Sequence, residues 1–166
     1  MRSVNFFAFG LVTIFLLAAS VPTAQGEEGP KTNSNATNIQ RINPPTLSTP
    51  KGYTHTVVVS GGKTVYIAGQ VPLDKDGKLV GAGDFGAQVR QAFENLKFAL
   101  VAADATLADV VKVTVLVTDA SQIDKFRQVR NEYFKADPPS STFAEIKALF
   151  RPDVMIEIDA IAVTQR

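Results

Sequence analysis

Residues Pro139–Val163, PSSTFAEIKALFRPDVMIEIDAIAV, decide the fold. Short apolar-rich runs flank Arg151-Pro152-Asp153, which reads as two β-strands joined by a tight turn. Alternation along the second strand sets Glu157 and Asp159 on one face. Carboxylates in so apolar a strand need partners, because burying an unpaired charge is costly.

Upstream, Ile123, Phe126, Val129, Tyr133 and Phe134 form the apolar stripe of a helix capped by Asp119 or Ser121. Val110–Val117 is a strand. Asp84 is the N-cap of a longer helix running to about Ala103, with Phe85, Val89, Ala92, Phe93, Leu96 and Leu100 at helical spacing. Gln70–Lys78 is a loop with a turn at Asp74–Gly77. Thr54–Ser60 and Thr64–Ala68 are β-branched runs around Gly61-Gly62-Lys63, a hairpin signal. Residues 27–51 read as a flexible leader in which a short first strand is allowed near Ile39–Ile42, ahead of a domain over residues 52–166.

The order (β)ββ-α-β-α-ββ defines an α+β fold, a mixed β-sheet with two helices packed on one face. Val57, Val59, Val65, Ile67, Val113, Val115, Ile156 and Ile158 are expected to leave apolar side chains on both faces of the sheet. Burying one such side chain contributes roughly 1.5–3 kcal/mol, so the uncovered face calls for a second copy of the chain.

Residues 1–26 have the features of a secretory signal peptide. Arg2 precedes an uncharged apolar run, Phe6–Ala19, and small residues follow it. The run is short for a spanning helix, which needs about 20 residues. Cleavage is expected to leave a periplasmic or secreted protein with no membrane partner. The chain has no cysteine, so neither a disulfide nor a thiol nucleophile is available. Losing Arg2 makes the mature chain formally neutral, which argues against nucleic acid as an electrostatically driven partner.

Several motifs together resemble the RidA (YjgF-type) family of reactive-intermediate, or imine, deaminases. They are Gly52-Tyr53-Thr-His-Thr56, Ile67-Ala-Gly69-Gln70, Val110–Val115, the Phe126–Tyr133 helix and Ile156-Glu-Ile-Asp-Ala-Ile-Ala162. The resemblance implies a homotrimer whose sheets close into a barrel, with small-metabolite sites in the clefts between subunits. It also implies cofactor-independent hydrolysis of 2-imino or enamino acids to keto acids and ammonia. Carried over by position, Tyr53 is the cleft tyrosine, Gly69 the glycine whose backbone approaches the ligand, with Gln70 beside it, and Glu157 the catalytic, water-positioning carboxylate. Ser141 stands where the family has a carboxylate-binding Arg, as in Arg-less branches of the family. Arg130 stands where deaminating members often have Asn. The alternative is a non-catalytic binding or protective protein on the same scaffold.

No metal or organic cofactor is expected. His55 is the only histidine and reads as an ordinary strand or interface side chain. Ser140-Ser141-Thr142 has no partner base in sequence, which argues against a serine nucleophile. Ribonuclease activity lacks both a basic groove and a His pair.

Overall fold

Strand β4, Val110–Val117, reads VVKVTVLV and alternates so that Val113, Val115 and Val117 are buried while Lys112, Thr114 and Leu116 are half-buried. It is an inner strand of the sheet. The computed structural model describes residues 37–165, and the expected signal segment lies outside them. The elements around β4 are β1 (Asn38–Ile42), β2 (Thr56–Ser60), β3 (Lys63–Gln70), α1 (Phe85–Val101), α2 (Ile123–Tyr133), β5 (Ser140–Glu145) and β6 (Ile156–Thr164). Helix α1 starts at Asp84, whose Oδ1 accepts from the Ala87 N–H at 3.0 Å, as the sequence suggests. A single 3-10 turn capped by Asp119 leads into α2.

Two pairings differ from expectation. The Gly61-Gly62 turn does not close a hairpin: β2 pairs antiparallel with β1, and β3 pairs antiparallel with β6 in a separate sheet of order β3-β6-β4-β5. Likewise β5 and β6 are not neighbours. Strand β4 lies between them, parallel to β5 through the α2 crossover and antiparallel to β6. The turn at Arg151–Asp153 exists, with Arg151 donating twice to the Asp153 carboxylate at 2.6 and 3.0 Å, but it ends a longer crossover over β4. Gln88, fully buried on α1, ties that crossover down by donating to Asp153 O and accepting from Met155 N.

The helices cover one face of the four-stranded sheet, with Phe93, Leu96, Leu100, Phe126 and Val129 against Ile67, Val113, Val115, Ile156 and Ile158. A third expectation changes here. Val65, Ile67, Val113, Val115, Ile156 and Ile158 all belong to this covered face, and Val57 and Val59 lie in the small sheet. The opposite face carries Tyr66, Leu116 and Ile161 among Lys112, Thr114, Glu157 and Asp159, and Tyr66 is 79% exposed. Period-two alternation assigns residues to two faces but does not say which face is the core. Among the described residues no helix is long and apolar enough to cross a membrane.

Candidate functional site

The loop before β2 is stitched to the entry of β5. Thr54, almost fully buried, donates its hydroxyl to Pro138 O at 2.5 Å and its N–H to Pro139 O at 3.0 Å. This sets Tyr53 beside Ser141. In β5, Ser141 shares the register of Val113, and Phe143 that of Val115, so both point towards the helix layer. Phe143 packs on Phe126 with ring centroids 5.2 Å apart. One turn beyond Phe126, Arg130 comes off α2 into the same space. Together with Lys51 and Arg127 these side chains line a cavity of about 180 Å³.

Arg130 is the unusual member. It is 7% exposed and has no carboxylate partner among the described residues. Nη2 donates to Asn131 Oδ1 at 2.9 Å, Nη1 makes a long bond to Lys51 O at 3.4 Å, and buried Nε has no acceptor. The guanidinium also lies 5.9 Å from the Phe126 ring centre. Burial, and secondarily the nearby Arg127 charge, pulls its pKa below the usual arginine value. Gly52 makes the space. Its φ is +76°, and a Cβ there would collide with the Arg130 guanidinium.

Gly69 and Glu157 meet elsewhere. Strand β3 has an irregularity between Ile67 and Gln70, and a Cβ on Gly69 would fall on the Glu157 carboxylate. Glycine there is what lets Glu157 lie across β3. Glu157 and Asp159 form no hydrogen bond or ion pair with a described residue. Both point to the open face, whereas Ser141 and Arg130 occupy the helix side. A single protomer therefore brings Tyr53, Arg130 and Ser141 together, and Gly69 with Glu157, but it does not join the two groups. Gln70 belongs to neither. It donates to Ala68 O and borders a groove of about 560 Å³ beside Gln91, Asn95 and Phe98 of α1.

Among the described residues no three His, Asp or Glu side chains gather as a metal site. His55 sets Nε2 2.8 Å from Ser48 O and packs edge-on to Tyr53 at 5.1 Å. Gly52, Thr54, Lys51 and Phe143 escaped sequence reading as site residues. A signal existed for the architecture: Arg130 follows Phe126 by four residues on the buried stripe, and a cation on a core-facing stripe is anomalous.

A family model described as "Endoribonuclease L-PSP" matches residues 45–164. A solved structure from Yersinia pestis, titled a protein of unknown function of the conserved Rid family, superposes with a TM-score of 0.72 at 38% identity, covering 76% of this chain and 99% of that one. The chain belongs to the RidA/YjgF family. A RutC family protein of Pyrococcus horikoshii is 41% identical over 65% of this chain and 85% of its own length. The human 2-iminobutanoate/2-iminopropanoate deaminase is 31% identical over 67% of this chain and 79% of its own. The RidA-type α+β fold thus agrees with the architecture expected from the sequence, helices on one face included.

Proposed function

We propose that this RidA-family protein binds small imine, enamine or carbonyl acids in clefts between protomers of a homotrimer and hydrolyses the imine. The observation that carries this reading is Arg130, a buried guanidinium with no anion beside it among the described residues, in a small cavity beside Tyr53 and Ser141. Arg130 takes over, from α2, the carboxylate clamp that Ser141 cannot provide, because a hydroxyl brings no charge. Glu157 lies across the sheet from that cavity, so a site using both takes Glu157 from one protomer and Arg130 from the next. The exposed Tyr66, with Leu116 and Ile161, gives the open face the apolar surface for such an assembly.

In the proposed reaction the substrate carboxylate rests on Arg130. Water adds to the imine carbon as the Glu157 carboxylate accepts its proton. Glu157 returns that proton to the nitrogen. The carbinolamine hydroxyl then gives up its own proton to the carboxylate, which passes it to the leaving nitrogen as the C–N bond breaks, and the products are a 2-oxo acid and ammonia. A positioned base of this kind contributes roughly 10²–10⁴-fold. The human relative's name, an imine deaminase, supports the reaction class. Ribonuclease activity, which the family model's description names, finds little support in a near-neutral chain with one histidine.

The test is ammonia release from 2-aminoacrylate generated in situ. Release should exceed the spontaneous rate and fall to it in Glu157→Gln. Wild-type release at the spontaneous rate rejects the enzyme. If 2-oxo acids still raise the melting temperature, the protein is a binder on the same scaffold. Sedimentation should give three times the protomer mass, and a stable monomer would remove the shared cleft. The reading includes export through residues 1–26, supported by Arg2 and the Phe6–Ala19 run, and N-terminal sequencing of secreted protein tests it.

A further inference from the structure

The cavity beside Arg130 holds more positive charge than one carboxylate can match. Lys51, Arg127 and Arg130 all line it, and no Asp or Glu does. Arg127 is neutralised by Asp124, with Nη1 to Oδ1 at 3.0 Å. Lys51 and Arg130 have no carboxylate partner among the described residues. Two cations are left over, and they differ in character. Arg130 is deep and held in place by Asn131, the Lys51 carbonyl and the space above Gly52. Lys51 is exposed on a flexible stem at the mouth. Tyr53 also lines the cavity, and its hydroxyl has no hydrogen-bond partner among the described residues.

We infer that the cavity is built for a small dianion, with one carboxylate on the Arg130 guanidinium and a second anionic group at the mouth against Lys51. The inference rests on the functional reading above and narrows its substrate class to four- or five-carbon 2-imino or 2-oxo dicarboxylates. A phosphomonoester of similar size presents the same charge. A cavity of about 180 Å³ is of the size that suits a small metabolite. Monocarboxylates would use Arg130 and leave Lys51 idle.

Calorimetric titration of the full chain with 2-oxoglutarate, succinate, 2-oxobutanoate, propanoate, inorganic phosphate and phosphoglycolate tests this. Each dicarboxylate should bind at least tenfold tighter than its monoanionic counterpart. Lys51→Gln, at an exposed position, should erase that preference, lowering affinity at least tenfold more for 2-oxoglutarate than for 2-oxobutanoate. Arg130→Gln should weaken both classes. Tight phosphoglycolate with weak dicarboxylates would keep the dianion and assign the phosphate source. Equal affinity for mono- and dianions, or a preference that survives Lys51→Gln, overturns the inference while the functional reading stands. Absence of binding by any 2-oxo acid overturns both.

Discussion

Arg130→Met should make the protein more stable and less able to bind. The side chain it removes is 93% buried and carries a charge that no described residue neutralises. Replacing buried ionic groups by apolar ones of similar volume is commonly neutral or stabilising by about 1–4 kcal/mol. Here one donor, Nε, is orphaned outright, and leaving a donor buried and unpaired costs about 1–3 kcal/mol. Against this stand the Asn131 bond, the long bond to Lys51 O and the stacking on Phe126. At 5.9 Å the stacking is worth about 1 kcal/mol, and the freed Lys51 and Asn131 acceptors lie on exposed residues that water can reach. Met packs its thioether against Phe126 and Phe143. The balance is a gain of about 1–2 kcal/mol. Urea denaturation at fixed protomer concentration should show a higher midpoint with unchanged slope. Losing two charge-assisted bonds to a carboxylate, each about 1.5–3 kcal/mol, should weaken 2-oxo acid binding a hundredfold or more. A variant that loses 2 kcal/mol or more and still binds would show Arg130 to be a strut, and the reasoning would fail.

Gly69→Ala should abolish Glu157-dependent ammonia release, because the new methyl displaces the carboxylate. The displaced atoms end a flexible side chain, so stability should change by about 1 kcal/mol or less, read from the same denaturation curves. Gly52→Ala should cost about 2–4 kcal/mol, combining a left-handed backbone with a clash against a buried guanidinium, and a loss under 1 kcal/mol would contradict the packing. Tyr133 is pushed up to about 12, first by burial and then by the Glu94 carboxylate, from an ordinary value of 10.0. An acid whose folded pKa is raised contributes stability that is complete below pH 10 and is lost as pH rises towards 12. Tyr133→Phe should flatten that part of the stability–pH curve.

Helix boundaries, caps and the Asp74–Gly77 turn were legible because their signals are local. The Asp84 side chain reaches only to Ala87, and the α2 stripe repeats within a few residues. Strand partners were not. Gly61-Gly62 looks like a hairpin turn, and only the competing ladder between β3 and β6 shows that the chain there leaves one sheet for another. The C-terminal pair failed for the same reason, since β4 inserts between two strands that are consecutive in the chain. Ser141 and Arg130, eleven residues apart, came together through the α2 crossover and the Thr54 contacts to Pro138 and Pro139.

From the chain alone came the α+β class and the order of elements. Those follow from periodicity and from side-chain type, which neighbours in sequence carry between them. Tertiary structure alone decided that Glu157 faces away from the Arg130 cavity, that Gly52 and Gly69 are the hollows that accommodate Arg130 and Glu157, and that Arg130 lacks a counter-ion among the described residues. Each of these depends on which distant strand lies alongside, and a strand's own alternation is the same whichever partner it takes.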